Sequence, residues 1–332
     1  MSESTSETIV VLAGGLSHER EVSLRSGRRV AQALRDRGCL VVEADVNAAL
    51  VPVLQGIENP VVFPLLHGGV GEDGSLREVL DLLEVPYVGS DAASSRLAFD
   101  KSICTPVVSA AGILTPLQLA LPADIFRDLG AKALMGAVAE RLGFPLMVKP
   151  ARGGSALGCT KVNRPSDLPS AMVSAYAYGD AAIIEEFIEG TEVALTVVDL
   201  GDGPVVLPAV EIRPRSGVYD FSARYTAGET RFLVPASLPD EVAQRCADVA
   251  LEVHRVIELG DLSRTDLIVA ADGQPIFLET NVAPGMTETS LVPLAIEAAG
   301  WEFGEVCERL ARNAARRYHA ARKSPAITPE SS

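Results

Sequence analysis

The sequence predicts a mixed chain, with an open α/β unit at the N-terminus followed by α+β subdomains. Three observations lead there. Strand-like runs alternate with helical ones over about the first 95 residues. Helices around antiparallel strand candidates joined by a glycine loop occupy Lys101 to about Phe187. Strand patterns dominate from Glu189 to Asn281, ahead of a helical end at Ser290–Arg322. At 332 residues the chain is too long for one ordinary core and suits two or three packed subdomains.

The first strand is Ile9-Val-Val-Leu-Ala13, an apolar run that stops at Gly14-Gly15 as a buried parallel strand would. Ser17 to Gly38 reads as a helix with Val22, Leu24, Val30 and Leu34 on its apolar stripe and Gly38 just past its end. Leu40–Ala44 and Val61–Leu66 are further strands, the second running into the polar loop His67-Gly-Gly-Val-Gly-Glu-Asp-Gly74. A helix at Ser75–Leu83 and a short strand at Tyr87-Val88 complete this unit. Helices follow at Pro106–Ala111, Ala123–Leu142 and Leu168–Tyr178, with strands at Pro145–Lys149, Gly158–Val162 and Ala182–Glu185. A long polar segment, Arg213 to Arg231, interrupts the later strands, and a Ser/Pro tail expected to be disordered closes the chain.

Composition excludes several classes. A net charge of −15 repels a polyanion across most of the surface, so nucleic acid is not expected as a partner. The five cysteines are scattered and form no C-x-x-C pair, which points away from a disulfide framework or a cysteine zinc site. The start is polar and acidic, unlike a secretory signal, and no apolar run reaches the roughly 20 residues that span a bilayer. A reduced, cytoplasmic setting without membrane partners is the expectation.

The most informative stretch runs from Arg264 to Asn281. Asp272-Gly273 between two β-rich runs favours a two-residue hairpin turn, which places Asp266 opposite Glu279 and Arg264 opposite Asn281, all on one face. Directly opposed Cβ atoms are about 4.5–5.5 Å apart. Two carboxylates and an amide oxygen so placed suit a hard cation such as phosphate-bound Mg²⁺. An exposed hairpin with solvated acids, or acids paired with Arg264, remains open, since a one-residue shift separates Asp266 from Glu279. Lys149 ends a strand ahead of a glycine-rich loop, Arg152–Gly158, whose N–H groups and Ser155 hydroxyl could wrap phosphate oxygens; an ordinary hairpin loop is the alternative. No P-loop or G-x-G-x-x-G pattern is present. Glu185 and Glu192 border a strand and could accept hydrogen bonds from a nucleotide. Pro284–Ser290 precedes a helix and could hold a carboxylate there, or simply cap it. His18 and His67 sit in strand-to-helix loops, where ligand sites gather but where a histidine is often only solvated.

Taken in order, these segments resemble the D-alanine–D-alanine ligases from about Ile9 to Leu310. The matching stretches are Gly14–Ser23, His67–Gly74, Asp100-Lys101, Val148–Ser155, Tyr219–Tyr225, Arg264–Asp266 and Glu279–Leu291. The resemblance implies an ATP-grasp fold behind a Rossmann-like open α/β domain. The expected division is 1–98, 99–187 and 188–322, with a tail at 323–332. It further implies that Lys101 and Lys149 meet nucleotide phosphates and that Glu185 and Glu192 meet adenine and ribose. Asp266, Glu279 and Asn281 would bind the magnesium, with two ions expected and Mn²⁺ as an alternative. Glu19 would take the ammonium of the first D-alanine, and Arg264 with the Gly285 N–H its carboxylate-derived oxygens. Ser155 and Tyr225 would link the substrate-covering loop to that site, and Ser290 and Leu291 would lie beside the second D-alanine. ATP and D-alanine are then the substrates, and a homodimer is common among such ligases. Departures fall mainly around the second substrate: Arg224 stands where the family usually has Lys, and Gly153 where it has an acid. Thr265 and Val282-Ala283 also differ. A sister ligase with another second amino or hydroxy acid is the competing expectation.

Overall fold

The computed structural model describes residues 7–219, 223–224, 226 and 228–323. Tyr225 and the tail from residue 324 onward lie outside the described residues. Three sheets organise the described residues. The first is parallel, in the order β2–β1–β3, built from β1 (Thr8–Leu12), β2 (Leu40–Ala44) and β3 (Pro60–Pro64). Tyr87 adds a single parallel bridge beside Val62. The apolar runs read from the sequence are the buried centre of this sheet.

The helix α1 (Arg20–Asp36) buries a different stripe from the one expected. Val30 and Leu34 are buried, but Val22 and Leu24 only partly, while Ser23, Ser26, Gly27 and Ala31 face inward. The reason is close approach: a Cβ on Gly27 would lie 2.4 Å from that of Ala13, so small residues set the contact line with β1. The helices α2 (Leu50–Gly56) and α3 (Ser75–Leu82) follow. Next comes α4 (Ala92–Phe99), which the sequence reading passed over although Asp91 caps it, accepting the Ser94 N–H at 2.8 Å.

After α5 (Lys101–Ala110) comes a four-stranded antiparallel sheet, β4–β7–β5–β6. It comprises β4 (Gln118–Pro122), β5 (Leu146–Pro150), β6 (Thr160–Val162) and β7 (Ala181–Glu186). The expected Ala123–Leu142 helix is two, α6 (Ala123–Leu129) and α7 (Ala131–Leu142), broken at Gly130, a poor helix residue. With α8 (Leu168–Tyr176), these cover a core that includes Leu146, Val148, Met172 and Ile184.

The largest sheet runs β11–β10–β8–β12–β13, with β9 beside β8. Its strands are β8 (Thr191–Asp199), β9 (Pro204–Val206), β10 (Val210–Pro214), β11 (Thr230–Leu233), β12 (Leu262–Val269) and β13 (Pro275–Asn281). Both faces of β8 are covered: Ala194 and Val198 pack towards α1 and the last helices, while Val193, Leu195 and Val197 pack towards α5 and α9 (Asp240–Val256). The reading of 189–281 as strands therefore missed a 17-residue helix. Its signal was present, since Val242, Cys246, Ala250 and Val253 follow helical spacing and all are buried. The C-terminal helical region is also divided, into α10 (Leu291–Ala298) and α11 (Phe303–Lys323). Among the described residues no helix is long and apolar enough to cross a membrane.

The β12–β13 hairpin reaches the expected register at its far end by an unexpected route. Three residues, Ala271–Gly273, form the loop, closed by Gly273 N–H to Ala270 O at 2.8 Å with Gly273 at φ +78°. That loop shifts the pairing by one, giving Val269 opposite Pro275 and Leu267 opposite Phe277. An irregularity between Asp266 and Leu267 then leaves Leu278 as the extra residue. Beyond it Asp266 faces Glu279 and Arg264 faces Asn281.

Candidate active site

Opposed carboxylates on neighbouring strands repel, and here each has its own cation. Arg264 grips Asp266 with two parallel hydrogen bonds, Nε to Oδ1 and Nη2 to Oδ2, both 2.7 Å, and both residues are buried. Lys101 Nζ lies 3.1 Å from Glu279 Oε2 and donates to Gly153 O at 2.9 Å. The pairing with Arg264 left open by the sequence is therefore realised, and Asp266 faces Glu279 in the strand register. Burial by itself would raise the Glu279 carboxyl, but Lys101, Arg224, Lys149 and Arg264 outweigh it and hold the group well below its ordinary range. Asn281 Oδ1 accepts the Ala283 N–H at 2.8 Å. No group of three or more His, Cys, Asp or Glu suited to a metal occurs among the described residues. Two carboxylates plus an amide oxygen nevertheless form an all-oxygen donor set, and each carboxylate keeps lone pairs beyond those its cation uses. That chemistry fits Mg²⁺ and not a softer ion.

The glycine loop closes one side. Lys149 leaves β5 and meets Glu185 of β7 at 2.7 Å, both buried, so Glu185 is engaged by the lysine before any ligand arrives. Arg152 Nε donates to Asp100 Oδ2 at 2.7 Å and Lys101 N–H to Ala151 O at 3.0 Å, tying the loop to the start of α5. Glu192 is partly buried; burial, opposed by Arg224 and reinforced by Asp266 and Glu279, pushes its carboxyl up to about 7. Ser155, at the loop tip, donates a short hydrogen bond to the Glu19 carboxylate. Arg224 stacks over the Tyr219 ring, 4.3 Å from its centroid.

The opposite wall comes from the parallel sheet. His18 is exposed and meets Tyr178 edge-on. His67 corrects the expectation of a solvated loop histidine, because it is buried with both ring nitrogens engaged. Nδ1 lies 2.9 Å from Ala283 O, which can only accept, so that nitrogen carries the proton and Nε2 accepts from Ser26 at 3.2 Å. Burial lowers its pKa, so the ring is a neutral brace between the sheet and the segment after β13. Glu72, which the sequence reading did not single out, lines the same space, and burial beside Glu19 lifts its carboxyl to about 7. Its only sequence signal was its position in the Gly-rich 67–74 loop. Ser290 occupies the N-cap position of α10, but its hydroxyl turns back to the Thr287 N–H at 3.0 Å and makes no capping bond to α10.

Two adjoining cavities result, sharing Lys101, Gly153, Gly154, Tyr219, Arg224 and Glu279 in their walls. Glu19, Ser155, Arg264, Asn281, Gly285 and Ser290 line the first. Lys149, Glu185, Glu192 and Asp266 line the second, a cavity of about 620 Å³, roomy enough for a nucleotide. Tyr225 is the one candidate residue outside the described residues.

Comparison with known proteins bears on this arrangement. The family description "D-ala D-ala ligase C-terminus" matches residues 109–312, and "D-ala D-ala ligase N-terminus" matches 43–90. The chain belongs to the D-alanine–D-alanine ligase family. It is 43% identical over 306 residues to the D-alanine–D-alanine ligase of Nitrosomonas europaea, covering 90% of this chain and 94% of that protein. The D-alanine–D-alanine ligase of Bacillus anthracis, solved complexed with ATP, superposes with a TM-score of 0.80 at 28% identity, covering 95% of this chain and all of that one. The VanG D-Ala:D-Ser ligase of Enterococcus faecalis gives 0.79 at 27% identity, over 93% and 99% of the two chains. The ATP-grasp fold expected from the sequence is the fold of this family, and the chain has it.

Proposed function

We propose that this protein joins two D-alanine molecules into D-alanyl-D-alanine at the expense of ATP, as a step towards peptidoglycan. The observation that carries the reading is the meeting of the two cavities at Lys101, Glu279 and Arg224, so that a nucleotide on one side abuts an amino acid on the other. The B. anthracis relative complexed with ATP supports ATP as the nucleotide, and the volume of the second cavity, with Lys101 and Lys149 in its wall, favours it as the place for it. In this reading Lys101 and Lys149 hold phosphate oxygens, and Glu185 and Glu192 face adenine and ribose.

The chemistry follows from the charges. A free carboxylate is a poor acyl donor, so the first D-alanine, held through its ammonium by Glu19, takes the terminal phosphoryl group of ATP and ADP leaves. Lys149, Lys101 and Arg264 offset charge on the moving phosphoryl oxygens. Mg²⁺ bound by Asp266, Glu279 and Asn281, as two ions in the fullest reading and replaceable by Mn²⁺, would supply further neutralisation there. The amine of the second D-alanine, beside Ser290 and Leu291, attacks the acyl phosphate; the C–N bond forms and phosphate leaves. Arg264 and the Gly285 N–H stabilise the tetrahedral oxyanion. Tyr219 and Arg224 wall both cavities, which supports a water-excluding role for the 213–231 segment, and the Ser155 bond to Glu19 supports the expected link from the loops to the first substrate. The division at 98, 187 and 322 belongs to the same proposal.

Arg224 and the likeness to a D-Ala:D-Ser ligase favour one alternative, a different second substrate. The test incubates the protein with ATP, Mg²⁺ and D-alanine, alone or with D-serine or D-lactate, and identifies products by mass spectrometry. Dipeptide with kcat/KM favouring D-alanine is expected. No dipeptide at millimolar D-alanine refutes the reading, and preference for another acceptor selects the alternative.

A further inference from the structure

Three side chains of α1 touch the segment that follows β13, and they differ in kind. Ser26 accepts the Met286 N–H at 3.1 Å. Arg29 donates to Thr287 O at 2.7 Å and to Met286 O at 3.3 Å, with its guanidinium 4.3 Å from the Phe303 ring centroid. These two are fixed by backbone groups. Among the described residues Arg25 meets only a side chain, Glu288, at 3.5 Å, and the two side chains are 55% and 67% exposed. An ion pair so exposed is worth roughly 0–1 kcal/mol.

Arg25 also lines the first cavity, as do Thr287, Ser290 and Leu291, and its partner Glu288 is the residue next to Thr287. A forked guanidinium suits a carboxylate better than any other side chain does, and a weakly held partner is readily exchanged. Resting on the ligase reading above, we infer that Arg25 is a recognition residue for the carboxylate of the second amino acid, and that Glu288 occupies its guanidinium until that carboxylate arrives. Glu288 is then a competitor of the acceptor and not a strut, which sets opposite signs for the two residues.

The test is a competition. The protein is given ATP, Mg²⁺, D-alanine and excess D-alaninamide, an acceptor with the same amine but no carboxylate. The ratio of dipeptide to dipeptide amide reads carboxylate recognition, independent of the first-substrate and nucleotide steps. Arg25→Met should lower that ratio about tenfold, Arg25→Lys by less, and Glu288→Gln should raise it. Both positions are exposed, and the lysine variant keeps the charge should the methionine variant misfold. An Arg25→Met ratio within twofold of the wild type overturns the inference. So does a fall in total activity shared by Arg25→Met and Glu288→Gln with no change in ratio, the signature of a structural strap. Failure of the wild type to form either product brings down the ligase reading, and the inference with it.

Discussion

Replacing Arg264 separates the two tasks the structure gives it. Its Nε and Nη2 donate to the two oxygens of Asp266, both at 2.7 Å, and the pair is buried at 7% and 3% exposure. Arg264→Met removes one member of a buried ion pair and strands the other, a loss of about 3–5 kcal/mol of stability. Arg264→Lys keeps the charge but offers one ammonium in place of a fork, so one of the two bonds goes and the loss is about 1.5–3 kcal/mol. Activity should respond differently. Arg264 lines the first cavity, and losing one oxyanion donor lowers kcat by about 10²–10³. A lysine that settles on Asp266 leaves no donor for the substrate, so both variants should fall by a similar factor although their stabilities differ. The measurements are urea unfolding, for the order wild type above Lys above Met, and ADP release under saturating ATP and D-alanine. A lysine variant within threefold of wild-type kcat would refute the claim that the fork serves Asp266 and substrate together. Equal stabilities would refute the buried-pair argument.

Two further outcomes are expected. Lys149→Met leaves the buried Glu185 without its ammonium and should lower stability by about 3–5 kcal/mol. Adding Glu185→Gln should recover much of that while nucleotide affinity, read by calorimetry, stays at least tenfold weak; wild-type affinity in either variant would remove Lys149 from the phosphate site. Glu72 has its folded pKa raised from 4.5 to about 7, so its contribution to stability is present below about pH 4.5 and lost as pH rises towards 7. Glu72→Gln lacks that loss, and its stability relative to wild type should improve by about 2–3 kcal/mol between pH 5 and pH 8. Parallel stability–pH curves for the two proteins would contradict the burial argument.

Patterns with a short period were legible in the sequence. The apolar runs of β1 and β3, the polar loop at 67–74 and the glycine loop after Lys149 lie where they were read. Local pattern also contains α9, whose helical spacing lies between two strand-rich stretches. The hairpin is more instructive. The turn was read one residue short, and the bulge at Leu278 cancelled the error, so Asp266 still faces Glu279.

By itself, then, the sequence determined which residues alternate to one face of a strand, which loops could approach a phosphate, and which family's motifs occur in which order. These are local properties, set by backbone geometry over a few residues. Tertiary structure alone decided the long-range partners: Glu279 on Lys101, Glu185 on Lys149, His67 braced between Ser26 and Ala283, and Arg25 facing Glu288. Spacing along the chain carries no information about such pairs, because burial in a shared core brings distant segments together. There the cost of leaving a charge unpaired selects its neighbour.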